Sequence, residues 1–263
     1  MSVIFEKLLE YLWLDVVFIL YGIAVVFFSF SKKYAFVPES IAGNLPERFA
    51  NFIAINEDFL LEQYWIRLGS FKCSSPKEDV TIFANFYSSP DYLHHAVLAE
   101  AESSIEVFHF IEFCSCLYPT GSICTNNMPY PDAIATRPEK VMVKLPSKNL
   151  IELYEIHEEI CKRAESKLIT FKKQEPEYLE QFVYDSFRKD YEYQVAKKRL
   201  KRNKDGSYCF TFLGSILAVP LQVIYILHGY LTKYYRPSHN RILKKVDRKL
   251  GRIQFLQANY ETD

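Results

Sequence analysis

From Tyr11 to Phe30 the chain reads YLWLDVVFILYGIAVVFFSF, and Asp15, near its N-terminal end, is the only charged residue in that run. At about 1.5 Å of rise per residue, a helix of this length matches the hydrocarbon thickness of a bilayer, so the pattern predicts a transmembrane helix. Asp15 lies close enough to the end to reach the interface, which places it poorly for an intramembrane functional carboxylate. Lys32 and Lys33 follow directly as a stop-transfer flank, and Arg48 adds to them. The N-terminus has neither the basic stretch nor the small-residue cleavage site of a signal peptide. The positive-inside rule then predicts a retained anchor, with the N-terminus outside and the main domain cytoplasmic.

Past the anchor the periodicity changes. Pro38 to Pro46 reads as a connector, after which Phe49, Phe52, Ile53, Asn56, Phe59 and Leu60 recur at helical spacing and predict a helix from Pro46 to about Gln63. Trp65–Phe71 and Val80–Tyr87 alternate apolar and polar residues around a polar turn and predict a hairpin. His95–Ala101 reads as a short strand or a helical turn. Ser104–Leu117 is a longer β-prone run whose two faces are both largely apolar, as in a central strand covered on both sides. A return strand over 122–126, a proline-containing loop and a strand over Lys140–Leu145 come next. Ser147 is the expected N-cap of a helix with the stripe Leu150, Leu153, Tyr154, His157, Ile160, Cys161 and Ala164. A further helix is expected from Pro176 into the basic run at Lys197–Arg202.

A second hydrophobic segment, Tyr208–Leu231, contains Pro220, Gln222 and His228 and is basic on both flanks. A full span, a re-entrant or interfacial segment, and burial in the domain all remain open for it. Beyond it Ile242, Val246, Leu250 and Ile253 form a stripe opposite Arg241, Lys244, Lys245, Arg248 and Arg252. That pattern suits a basic amphipathic helix on an anionic lipid surface, or a basic face packed on the domain. The expected architecture is a membrane-anchored α+β protein: a transmembrane anchor over 1–33, a soluble α+β domain over 34–206, a second hydrophobic segment over 207–235 and a basic amphipathic tail over 236–263. The domain would carry an antiparallel sheet of about five strands with flanking helices.

Composition narrows the function classes. Hydrophobic residues are 49% and aromatics 16% of the 263, which excludes a disordered or collagen-like chain. Net charge is zero, yet Lys197, Lys198, Arg199, Lys201 and Arg202 cluster, as do Arg241, Lys244, Lys245, Arg248 and Arg252 in the tail. Their expected counterpart is anionic lipid head groups. Nucleic acid is not expected, since neither a recognition helix nor interleaved aromatics surround the hairpin-like stretch Arg202–Gly214. No phosphate-loop, dinucleotide-binding, zinc-protease or nucleophile-elbow motif occurs, and no cofactor is implied. Six cysteines without a CxxC pair read as reduced thiols of a cytosolic domain.

The densest candidate chemistry is the turn at Gly121. A three-residue loop there would set Cys116 opposite Cys124, with Cys114 two residues along on the same face. Thiols so placed can hold zinc, but the CxxC knuckle and a fourth ligand are missing, so Cys114, Cys116 and Cys124 are metal candidates beside their plainer reading as small core residues. Adjacent His94 and His95 on a strand point to opposite faces and cannot share one ion. His157 with Cys161 one turn later reads as packing or as a Cys/His pair. Glu112, between Phe110 and Cys114, would be a buried carboxylate with a shifted pKa or a partner. The sequence therefore favours a membrane-anchored interaction or accessory protein with an unidentified protein partner. Its rival is a membrane-tethered enzyme with a site near Glu112, His109 and the cysteine hairpin.

Overall fold

The structure is a computed structural model that describes residues 33–34, 37–40, 45–74, 80–103, 106–128, 136–145, 148–214, 217 and 238–260. The predicted anchor at Tyr11–Phe30 lies outside the described residues. Among the described residues no helix is long and apolar enough to cross a membrane. In chain order the elements are β1 Lys33–Tyr34, β2 Val37–Ser40, α1 Glu47–Glu62, β3 Ile66–Ser74, β4 Val80–Ser88, β5 His94–Ser103, β6 Val107–Cys116, β7 Ser122–Asn126 and β8 Lys140–Lys144. Then come α2 Leu150–Glu165, a 3-10 turn Pro176–Tyr178, α3 Leu179–Ala196, β9 Leu200–Arg202, β10 Tyr208–Phe210 and α4 His239–Tyr260. Two compact units result: 36–130 with 135–190 and 236–263, and 1–35 with 131–134 and 191–235.

The first unit is α+β. Its sheet has seven strands in the order β2-β3-β4-β5-β6-β7-β8, antiparallel except for the parallel pair β7–β8. This differs from the antiparallel sheet expected from sequence in two added strands and one direction. Val37–Ser40 pairs with β3 where a connector was expected. β5 extends to Ser103 as a full strand between β4 and β6. β8 enters alongside β7 in the same direction, which alternation alone does not report.

Strand alternation sorts the side chains onto two faces. One face presents Tyr87, Ala96, Leu98, Ile111, Phe113, Ile123, Val141 and Val143, and packs against Phe49, Ile53 and Leu60 of α1, Leu153, Ile156 and Ile160 of α2, and Leu243, Val246, Leu250 and Ile253 of α4. The other presents Phe71, Ala84, Phe86, Ala99, Ala101 and Phe110, against which Phe182 and Phe187 of α3 pack. The apolar stripe of α4 is therefore occupied by the protein core, while Arg241, Lys244, Lys245, Arg248 and Arg252 stay exposed. The helix is thus packed on the domain by its apolar stripe, with its basic face outward.

Helix ends follow local chemistry. Asn149, and not Ser147, caps α2: its side chain accepts from the Glu152 N–H while Glu152 reaches back to the Asn149 N–H, a reciprocal capping box. Tyr64 takes a left-handed φ of 61° just past α1, and the Trp65 N–H returns to the Leu60 carbonyl at 3.0 Å. α3 does not run on through the basic run. Lys198 at φ 57° ends it, and Leu200–Arg202 pairs instead with Tyr208–Phe210 in the second unit, whose three-stranded sheet has the order β1-β10-β9. The second hydrophobic segment thus opens as a strand with Tyr208, Cys209 and Phe210 buried, followed by a helical turn at Phe212–Gly214. Residues 218–237 lie outside the described residues.

The β6–β7 connection sets the register of the central strands. The Leu117 N–H donates to the Gly121 carbonyl at 3.0 Å, closing a five-residue loop, and Gly121 has φ +120° with an added Cβ only 2.6 Å from the Glu139 carbonyl oxygen. Both the dihedral and the clash oppose any side chain. Gly121→Ala is expected to cost about 1–3 kcal/mol of stability. Urea denaturation of the variant would show a lower midpoint with an unchanged slope.

Candidate functional site

On the α2-covered face, an otherwise apolar layer contains a row of polar side chains. His94 opens β5 and pairs in register with Ser115 on β6. Ser115 Oγ lies 2.6 Å from His94 Nδ1 and 2.8 Å from His157 Nε2, and His157 Nδ1 lies 3.2 Å from Thr125 Oγ1 on β7. Cys161, one turn after His157 on the inward face of α2, places Sγ 3.6 Å from Ser115 Oγ and 4.0 Å from His94 Nδ1. The ligand atoms of His94, His157 and Cys161 all lie within 4.8 Å of one another. The approach of His94 is fixed by its turn: Ser89 Oγ accepts from the His94 N–H at 3.0 Å and donates to Asp91 Oδ1 at 2.6 Å, while Asp91 Oδ1 also accepts from the Leu93 N–H.

Burial decides the protonation states. It lowers the His94 imidazole, against the opposing pull of Asp91, Glu165 and Glu158, and with the charge of His94 it takes His157 down to about 3. Burial pushes the Cys161 thiol up to about 12, with the Ser115 hydrogen bond only partly offsetting it. Both rings are therefore neutral at pH 7, and Ser115, with a single hydroxyl proton, can donate to only one of them. A neutral imidazole with a protonated thiol is not the ion pair of an activated cysteine nucleophile. It does suit a metal site, because an incoming cation displaces the thiol proton and requires neutral imidazoles.

These residues form one wall of a pocket of about 410 Å³, the rest of which comes from Gln63, Trp65, Ser89, Pro90, Asp91, Tyr154, Glu158, Lys162 and Glu165. Three carboxylates against one ammonium make the rim acidic. The Tyr154 hydroxyl donates to Glu158 at 2.6 Å, and this bond, with Lys162, keeps the Glu158 carboxylate below its ordinary range.

The residues singled out from sequence distribute differently. Glu112 and the cysteines of β6 face away from this pocket. Because the loop has five residues and not three, Cys116 stands opposite Ser122, and it is Cys114 that stands opposite Cys124, with Sγ atoms 3.1 Å apart. Burial and the nearby Cys124 bring the Cys116 thiol to about 12. His109 is on the opposite face from Glu112, 2.8 Å from the buried Glu100 carboxylate, which also takes Arg48 at 2.8 Å, and stacks on Phe52 with ring centres 4.4 Å apart. A site uniting Glu112 with His109 is not formed. Lys197, Lys198, Lys201 and Arg202 are exposed, and Arg199 is half-buried with Nη1 3.3 Å from Gln194 Oε1.

Sequence reading found His94, His157 and Cys161 but gave them no common site, and it missed Ser115 and Thr125. The available signal was Ser115 as the polar interruption of the apolar odd-numbered face of β6. Comparison with family models, with curated proteins and with solved structures finds no match.

The depressed histidines predict a pH profile. His94, His157 and His95, the last brought by burial to about 4, resist protonation when folded and accept it when unfolded. Stability is then full above about pH 6.5 and falls as pH drops through about 6.5 to 4, by up to about 1.4 kcal/mol per pH unit for each histidine. Asp91 and Glu158, held below their ordinary ranges, add losses only at lower pH. Urea midpoints measured with a chelator between about pH 7 and 5 should decline, and His157→Gln should flatten the decline by roughly one histidine's share.

Proposed function

We propose that this chain is a membrane-tethered metalloenzyme in which His94, His157 and Cys161 hold a divalent ion of the zinc class at the wall of the pocket. The observation that carries the reading is a mixed nitrogen and sulfur triad, with ligand atoms within 4.8 Å, opening on a 410 Å³ pocket. The triad leaves room for a fourth ligand from the pocket. Three protein ligands with an open position distinguish catalytic zinc sites from closed structural ones. When bound, such an ion supplies Lewis acidity and a water with a pKa near about 7, which is hydrolytic chemistry.

The chain's own residues divide the remaining work. Thr125 orients the His157 imidazole from behind, as outer partners of metal-bound histidines do, while Ser115 Oγ, which lies between His94 Nδ1 and His157 Nε2, yields its place to the ion. Cys161 contributes a thiolate, reducing the positive charge of the centre. Asp91, Glu158 and Glu165 at the rim disfavour anionic ligands, so neutral or cationic substrates are preferred over phosphate esters.

The tether is supported by the apolar run Tyr11–Phe30 and its Lys32–Lys33 flank, with the N-terminus outside and the body in the cytoplasm. The non-enzymatic alternative, an accessory protein held against anionic lipid, is favoured by the exposed basic face of α4.

Two experiments test this. Cobalt(II) added to the detergent-extracted full chain should give a sulfur-to-cobalt charge-transfer band, part of which Cys161→Ser removes and His94→Gln weakens. A band that neither variant alters, in folded protein, overturns the metal site. Reporter fusions after Lys33, Asp205 and Asp263 should all report the cytoplasm. An external signal at Lys33 overturns the orientation, and a full chain soluble without detergent overturns the tether.

A further inference from the structure

The other face of the sheet holds a second, independent set of ligand atoms. In register, His95 of β5 stands beside Cys114 of β6, Cys114 beside Cys124 of β7, and Cys124 beside Met142 of β8. The Leu117 N–H to Gly121 carbonyl bond and the Asn127 N–H to Ile111 carbonyl bond place the backbone hydrogen bonds at the odd-numbered positions of β6. Cys114 and Cys124 are thus a non-hydrogen-bonded pair, the kind whose side chains approach most closely. One register step away, Glu112 faces Asn126, whose Nδ2 donates to Glu112 Oε2 at 2.7 Å and fixes the carboxylate beside the thiols. The Glu112, Cys114 and Cys124 ligand atoms lie within 4.8 Å of one another.

His95 is the second observation. Its side chain is buried against Phe182, with ring centres 5.7 Å apart, and neither ring nitrogen has a hydrogen-bond partner among the described residues. Leaving a buried polar group unpaired costs about 1–3 kcal/mol, so an imidazole with two bare nitrogens next to a thiol pair needs an explanation.

We propose that Glu112, Cys114 and Cys124 bind a second thiophilic divalent cation, and that the His95 imidazole, which lies outside their 4.8 Å group, turns in as a further neutral ligand when the ion is bound. Soft thiolates select zinc-class ions over magnesium or calcium. Two thiolates and a carboxylate carry three negative charges, two of which the ion offsets; Lys140, one register step along opposite Ser122, lies beside the site within a balanced network in which Lys140 and Arg137 face Asp190 and Glu139. Burial alone would lower the Lys140 ammonium, but Cys124, Asp190 and Glu112 raise it well above its ordinary value. Arg137 holds both Asp190, at 2.6 Å, and Glu139, at 3.0 Å. Binding releases the thiol protons to solvent and requires no oxidant or reductant.

This site does not rest on the pocket triad, and the two are separable by counting thiolates. In the cobalt(II)-loaded full chain, Cys114→Ser/Cys124→Ser should remove the band of two of the three ligating thiolates, while Cys161→Ser removes only the third. Glu112→Gln, which keeps the shape of the side chain, should weaken cobalt at this site by about tenfold or more with an unchanged urea midpoint in chelator. The proposal is overturned if the folded double variant keeps the whole band. It is also overturned if mass spectrometry of unreduced, metal-treated protein finds Cys114 joined to Cys124 as a disulfide, or if neither thiol contributes to the band although Cys161 does.

Discussion

β6 is hydrogen-bonded along both edges, to β5 and β7, and covered on both faces, so the two-residue period of a strand decides what each of its side chains meets. Odd positions are driven against α1 and α2, and even ones toward α3. A one-residue slip would exchange the two sets and place Glu112 and the thiols of Cys114 and Cys116 in the layer where Phe113 and Ile111 now lie. Both polar clusters exist because that register is held. Part of the hold is apolar, through Phe113 against Trp65 with ring centres 5.7 Å apart. Part is the pinned turn at Gly121, and part is the bridge from Leu117 to Phe171, by which the segment after α2 continues the sheet beyond the start of β5.

A polar row inside such a layer is costly unless it is fully satisfied. The His94–Ser115–His157–Thr125 chain meets this requirement by passing one hydrogen bond to the next, with every ring nitrogen but one engaged within the row. The row across the other face does not, since neither ring nitrogen of His95 has a hydrogen-bond partner among the described residues. The two faces thus differ in kind. One is a connected network beside a pocket, and the other buries an imidazole with no partner among the described residues. Neither pattern improves stability over a plain apolar core, which is why chemistry is the better explanation for both.

Much of the fold was legible in the periodicity. α1 and the inward stripe of α2 follow the 3.6-residue spacing of Phe49, Ile53 and Leu60 and of Leu153, His157, Ile160 and Ala164. The β3–β4 hairpin follows its alternation, and the two apolar faces of Val107–Cys116 reported a central strand. What was not legible depends on distant partners. Val37–Ser40 has no alternation of its own to announce it as a strand, and the parallel entry of β8 leaves no mark on Lys140–Lys144. The true β6–β7 register follows from Leu117 closing onto Gly121, so a turn read from Pro119–Gly121 alone misplaced the cysteine pair by two residues. The site suffered most, because His94, Ser115 and His157 are far apart in sequence and meet only through strand pairing and helix docking.

Adjacent His94 and His95 show why that meeting is specific. Their opposite orientation rules out a shared ion, and it is also what lets one β-strand contribute a histidine to each face at nearly the same height in the sheet. His94 looks to Ser115 and α2, and His95 to Cys114 and α3. The element that carries both is the first residue pair of β5, fixed by the Ser89–Asp91 turn, so the same few hydrogen bonds position a histidine on each side of the sheet. Whatever loosens that turn reaches both clusters at once. The pocket rim depends on the same turn, since Ser89, Pro90 and Asp91 line it directly.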